Sequence, residues 1–188
     1  LHGPNPCFFF IARFCGILYI MDIIAHGLYG GVGFAHKSKK SFWTDVWWGV
    51  FPDLVAFGTF FPYFVWTRGF YREEIMRIEP PTLEIIPSYV YAIYNYSHSL
   101  IIFSFIFGLV WLWYKKPVLE MLAWPLHIIM DIPTHSGAFF PTPFLYPLSS
   151  FYVEGIPWGT PYIFFGYWTM LFILYGIMFL IRYRSLRA

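Results

Sequence analysis

The sequence predicts an all-α fold: a polytopic membrane bundle of about four to five apolar helices, joined through a Pro- and aromatic-rich loop. Three observations predict it. Hydrophobic residues make up 59% of the 188 and charged residues 12%, about half of the roughly 25% charge carried by soluble domains. Aromatics reach 25%, with 9 Trp and 15 Tyr, rings whose amphipathic character places them at bilayer–water boundaries. The stretch 162–181 contains no charged residue, and about 20 apolar residues in a helix cross the hydrocarbon.

Pro, Gly and charge divide the chain into segments. Residues 21–36 are apolar and Gly-rich (Gly27, Gly30, Gly31, Gly33) and end at Lys37, Lys39 and Lys40. Small residues at that density let a neighbouring helix approach closely. Residues 42–66 form a second segment, broken by Pro52 and Pro62. The mixed-charge stretch 67–87, with three Arg and four Glu, reads in its first half as an amphipathic surface helix. The third apolar segment is 88–114, closed by Lys115 and Lys116. The fourth is 118–132, stopped by Pro133, and the loop 133–161 follows it. The fifth, 162–181, ends in Arg182, Arg184 and Arg187.

Length and pattern give one membrane-embedded domain, 21–188, preceded by residues 1–20. That stretch reads as an upstream extension before Met21, with an extra apolar helix or a signal peptide as alternatives. Cys7 and Cys15 lie within it without metal-site spacing. Lys and Arg accumulate in cytoplasmic loops. The basic clusters follow segments one, three and five, so they share one side, with 67–87 and 133–161 on the other. The implied location is an integral protein of a prokaryotic inner membrane. A net charge of +2 without a basic stripe excludes nucleic acid as a partner.

Ionisable residues inside apolar segments are costly and mark function. Six stand out: His26, Asp53, His98, His127, Asp131 and His135. His127 and Asp131 are four apart and share a helix face; His135 extends the row if the helix survives Pro133. Imidazole and carboxylate are ligands for zinc and similar divalent ions. A His-x3-Asp pair alone also serves as a hydrogen-bonded lock between helices, but six such groups on four segments point further. Counted along the helices, all six fall in the non-cytoplasmic half. They suit one or two divalent ions, zinc first, activating water for phosphoester hydrolysis. Asp22, Thr134 and Ser136 are candidates to orient the ligands. Glu154 is a candidate general acid or a plain loop carboxylate. Asp45 is read as serving the first turn of a helix, Glu120 as lying near a helix start, and His36 as a solvated boundary residue.

Four short motifs carry a resemblance: Ala25-His26-Gly27, Phe51-Pro52-Asp53-Leu54, Ser97-His98-Ser99-Leu100, and His127-Ile-Ile-Met-Asp131 with Pro141–Pro147 after it. In this order, over roughly 21–150, the chain resembles the YdjM-like family of membrane-bound metal-dependent hydrolases. The order of ligands is also similar to that of zinc-dependent phospholipase C. The resemblance implies a metal-dependent hydrolase whose partners are membrane lipid and a lipid or phosphoester substrate. The chain departs from the family where Asp53 continues into Leu54-Val55-Ala56 instead of a further Asp and His, and where Ser97 replaces Thr; His135 is the candidate to replace a missing ligand. Two other readings compete. Intramembrane His and Asp also build metal or proton pathways in transporters, and they can serve simply to hold helices together.

Overall fold

The computed structural model describes residues 22–33, 38–58, 60, 86–138 and 140–185. All regular structure among these is helical. Helix α1 covers 22–33 and α2 Lys39–Phe57. Helices α3 (Ser88–Ser97) and α4 (Leu100–Tyr114) follow. A 3-10 turn at Leu119–Leu122 leads into α5 (Ala123–Asp131), and α6 is Pro161–Ser185. The expectations for 1–20 with its cysteines, for His36 and for the surface helix in 67–87 fall outside the described residues.

Local chemistry sets the boundaries. Ser38 caps α2, its hydroxyl accepting from the Ser41 amide at 3.1 Å, so the helix starts at Lys39. Asp45, expected in a first turn, therefore sits in the second turn of α2, where it is fully buried. Pro52 does not break α2, as the sequence suggested; the helix runs through it to Phe57. One missing N–H removes a single helical bond, and Pro52 is buried against neighbouring helices.

The third apolar segment is two helices. It bends by 59° at residues 98–99, and Ser99 starts the second half by accepting from the Ile102 amide at 3.2 Å. The Ser99 hydroxyl also donates to the Tyr146 carbonyl, fixing the late loop to this break. Lys115 ends α4 in the left-handed conformation, with φ 56°.

Glycines bring α1 and α2 together. A Cβ on Gly27 would lie 2.7 Å from Val50 Cγ1, and one on Gly30 would lie 2.8 Å from the Asp45 carbonyl oxygen. The approach is reciprocal, since a Cβ on Gly49 would lie 2.7 Å from the His26 carbonyl oxygen. Helix α6 lies along α1 through tyrosine hydroxyls: Tyr29 donates to the Tyr167 carbonyl at 2.6 Å and Tyr175 to the Leu28 carbonyl at 3.0 Å.

Two apolar clusters fill the interior. Phe103, Met121, Trp124 and Ile128 pack between α4 and α5, with Trp48 and Phe51 of α2 against them. Ala56, Val90, Tyr94 and Phe140 form the second, at the far end of α2.

The contacts also order the helix ends. Ser41, near the start of α2, donates to Glu120 Oε1 at 2.8 Å, so the start of α2 lies beside the turn that follows α4. Phe42 packs edge-on against Tyr175 in the second half of α6, their centroids 6.4 Å apart. Lys39, Lys40, Lys115, Lys116 and Arg184 thus gather toward one end of the bundle, with Trp43, Trp113 and Tyr114 exposed among them. One helix, α6 across Pro161–Ile181, is long and apolar enough to cross a membrane; α3 and α4 qualify only as a bent pair. The larger number of full spans expected from the sequence is not reached by helix length among the described residues.

Candidate metal centre

The six ionisable residues picked out of the apolar segments come together. Each arrives by a different local route. His26 is on the α1 face that meets Gly49, and Asp53 follows Pro52 one turn before the end of α2. His98 is the break between α3 and α4, where the chain leaves one helix before Ser99 caps the next. His127 and Asp131 share a face of α5. The helix stops at Asp131, yet His135 stays in the row because a turn replaces the helix: the His135 amide donates to the Asp131 carbonyl at 3.0 Å. All but His135 are over nine-tenths buried, and His135 nearly so.

Asp131 is the hub. Its Oδ1 is 3.1 Å from His26 Nε2 and 3.5 Å from His135 Nδ1. Its Oδ2 is 3.3 Å from His98 Nε2 and 3.1 Å from His127 Nε2. Asp53 Oδ1 lies on the second side, 3.4 Å from His98 Nε2 and 3.7 Å from His127 Nε2. Close as they are, neither Asp131 oxygen nor either His26 nitrogen has a hydrogen-bond partner among the described residues. The atoms converge without pointing at one another.

The outer nitrogens of two rings are held by the protein. His127 Nδ1 is 2.6 Å from the Gly49 carbonyl, and His98 Nδ1 is 3.1 Å from the Tyr94 carbonyl and 3.0 Å from Ser97 Oγ. A carbonyl only accepts, so both Nδ1 atoms carry a proton, and in the neutral rings that metal binding requires both Nε2 atoms present lone pairs. Those two lone pairs face each other at 3.1 Å. Uncompensated, that arrangement is repulsive.

A cation between them removes the repulsion. With bonds of about 2.0–2.1 Å in a tetrahedron, ligand atoms sit about 3.3 Å apart. Among His98 Nε2, His127 Nε2, Asp53 Oδ1 and Asp131 Oδ2, the five separations that involve an imidazole nitrogen run from 3.1 to 3.7 Å. Two overlapping sets, Asp53–His98–His127 and His26–His127–Asp131, each bring three donor atoms within 4.8 Å of one another. The buried His/Asp groups could therefore hold a metal ion.

His135 stands apart from both sets. Its Nδ1 is 3.3 Å from the backbone carbonyl of Asp131 as well as close to the carboxylate. The surrounding groups divide in the same way. Asp22 Oδ1 is 3.8 Å from His26 Nδ1, where it can orient the ring. The Thr134 hydroxyl donates to the Met130 carbonyl at 2.9 Å and reaches the Asp131 carbonyl at 3.5 Å, because the helix end leaves carbonyls to satisfy. Ser136 is buried in the turn after His135. Glu154 accepts from the Gly137 amide at 3.0 and 3.2 Å, a loop tie on an exposed backbone.

Sequence reasoning missed the supports. The Tyr94 ring stacks on His98 with centroids 3.7 Å apart, and its hydroxyl shares a 3.0 Å hydrogen bond with Thr142. Trp124 Nε1 donates to the Ser97 carbonyl at 2.7 Å and so anchors the break that carries His98. The four-residue spacing of Tyr94 and His98 was a readable signal. The use of the Gly49 carbonyl was not, since any residue has one. Comparison of the chain with protein-family models, with curated proteins and with solved structures finds no match.

Proposed function

We propose that this chain is a membrane-embedded, metal-dependent hydrolase of phosphoesters. The observation that carries the proposal is the convergence of His98 Nε2 and His127 Nε2, 3.1 Å apart with both Nδ1 atoms turned to backbone carbonyls, beside an Asp131 carboxylate that makes no hydrogen bond among the described residues. A helix lock would align donors with acceptors; these groups are aligned on a common point between them.

Asp53, His98 and His127 are the donors for one ion. Asp131 has one oxygen near His98 and His127 and the other near His26 and His135, so it could serve as a donor on either side. Each set offers three protein donors, which would leave a fourth position open, and an open position is what separates a catalytic metal site from a structural one. A divalent ion there, zinc by the His/Asp mixture, supplies Lewis acidity and lowers the pKa of water. The chain's own part is to hold these donors rigid and dry. Gly49 and Tyr94 fix the ring faces, Asp22 steadies His26, and burial keeps competing water from the carboxylates. In the reaction, the oxygen of water adds to phosphorus, the ester P–O bond breaks, and the departing alkoxide takes a proton. The motif order shared with YdjM-like hydrolases agrees with this reading.

The membrane setting rests on α6 and on the exposed aromatic and aliphatic side chains of α4, among them Phe105, Leu109 and Leu112. The basic end is the cytoplasmic one by the positive-inside rule. Metal analysis of the purified chain tests the proposal, together with phosphate release from phosphomonoesters and diesters. Wild type carries stoichiometric metal and hydrolyses at least one ester class, and His127→Ala loses both. A folded wild type that takes up no zinc, manganese or iron refutes the proposal.

A further inference from the structure

Helix lengths fix the depth of the metal centre. From Lys39 to Asp53 along α2, from Tyr114 back to Leu100 along α4, and from Ile181 back to Tyr167 along α6, the rise is about 21 Å in each case at 1.5 Å per residue. Tyr167 marks the level of the site on α6, because its hydroxyl donates to the carbonyl of Met130, next to Asp131, at 3.4 Å. The centre therefore sits about 20 Å from the basic end and roughly 10 Å short of the other end of the Pro161–Ile181 span. That span matches the hydrocarbon thickness of about 30 Å. The reacting point lies inside the hydrocarbon slab, in the half away from the basic residues.

What surrounds it is apolar. On the outward faces of the same turns, Ile24, Leu54, Val55 and Ile129 are 40–55% exposed. Toward the water, the chain lays a backbone lid over the end of α5. The Gly155 amide donates to the His135 carbonyl at 2.8 Å, Ile156 to Pro133 at 2.9 Å and Trp158 to Thr134 at 3.0 Å. The approach is close enough that a Cβ on Gly155 would lie 2.5 Å from two carbonyl oxygens. This loop also exposes large apolar side chains, with Leu148 79% and Phe151 57% exposed, which suits a surface resting in the bilayer interface and not in bulk water.

We infer that the substrate is a phosphate ester of a membrane lipid, whose tail stays in the bilayer while its phosphate reaches a centre sunk below the headgroup plane. This rests on the hydrolase reading above and adds the substrate class. A free phosphoester would have to leave water, cross the backbone lid and enter an apolar slab. A lipid already has its apolar part there, and only the phosphate has to be accommodated by the buried donors.

The test uses the full chain in phosphatidylcholine nanodiscs, loaded with Mn2+, with either phosphatidic acid in the bilayer or glycerol 3-phosphate in the buffer. The readout is the 31P relaxation enhancement of each ester above that seen with His127→Ala. Asp53→Asn is the second control in case the first variant does not fold. Phosphate release is followed in parallel with zinc, and a lipid and a soluble phosphodiester are included as a second pair. The lipid ester of a pair should be relaxed and hydrolysed about tenfold or more in preference to its soluble partner, a modest gain for a reactant confined to the same bilayer. Equal or stronger relaxation and turnover of the soluble partner overturns the lipid assignment and leaves the hydrolase reading standing. Stoichiometric metal with neither relaxation above the controls nor turnover of any ester overturns both.

Discussion

Replacing Asp131 by Asn separates a metal centre from a buried ion-pair lock. The carboxylate touches four imidazoles, two on each oxygen, and the amide keeps its shape while losing the charge. If the cluster is a lock of protonated histidines, the metal-free protein depends on that charge, and removing one partner of a buried pair costs about 3–5 kcal/mol. If the cluster is a metal centre, the metal-free wild type holds the Asp131 carboxylate with no hydrogen bond among the described residues, so Asp131→Asn is close to neutral or stabilising without metal. The difference then appears only when metal is added. An ion present at a thousand times its Kd stabilises the native state by about 4.1 kcal/mol. For a chain of this length that is roughly 8–16 °C in Tm, at about 2–4 °C per kcal/mol. The assay is thermal unfolding in detergent, chelated and zinc-loaded, for both proteins. Wild type should gain that interval and Asp131→Asn should gain almost none. A large deficit of the variant in chelator, with no response of either protein to zinc, manganese or iron, would refute the metal reasoning.

Two further outcomes follow from the same geometry. Gly49→Ala places a methyl group 2.7 Å from the His26 carbonyl oxygen. The contact is backbone to backbone, so α1 must shift, at a cost of about 1–3 kcal/mol. Because the Gly49 carbonyl also holds His127, metal affinity should fall along with Tm; an unchanged affinity would show that this carbonyl does not set the ring. Metal affinity should also depend on pH with a defined sign. An imidazole ligand binds only as the neutral ring, and its unperturbed value is about 6.5, so acidification through that range adds a competing proton for each ring. Zinc competition titrations between mildly acid and mildly alkaline pH should show affinity rising with pH, and a flat profile would exclude imidazole ligation.

The all-helical class and the membership of the cluster were legible because charge inside apolar sequence is costly enough to be rare. His26, Asp53, His98, His127 and Asp131 stand out against their own segments, and no knowledge of packing was needed to group them. The boundaries were less legible because they depend on caps. Ser38 starts α2 earlier than hydrophobicity alone suggests and moves Asp45 from a first turn into the interior. The hydropathy of 88–114 runs unbroken across the point where Ser99 starts a new helix, so the bend that delivers His98 did not show. Pro52 looked like a break because a local rule was applied where tertiary packing prevails. Pro133 did end its helix, yet His135 kept its place through an i→i+4 turn that periodicity does not predict.

The same comparison explains why few helices are long enough to span the bilayer alone. A site assembled at helix ends needs helices that stop. α5 ends at Asp131, α2 ends one turn past Asp53, and α4 begins just after His98. With 19, 15 and 9 residues, α2, α4 and α5 rise about 28, 22 and 14 Å, against about 30 Å for the slab. The remaining depth is taken up by α3, turned 59° from α4, and by the loop that bonds back onto Pro133, Thr134 and His135. Non-helical backbone at that depth is tolerated only where protein surrounds it. Here it is stitched by the hydrogen bonds of Gly155, Ile156 and Trp158, while Phe140, earlier in the loop, packs on Tyr94. The full-length α6 fits the opposite role: it carries none of the candidate ligands and bonds its neighbours through tyrosine hydroxyls, its own Tyr167 to α5 and Tyr175 to α1, and Tyr29 of α1 to it. Span length and chemistry are thus divided between different helices. On the proposed membrane setting, counting long apolar helices alone would register α6 and overlook the shorter helices that carry the candidate ligands.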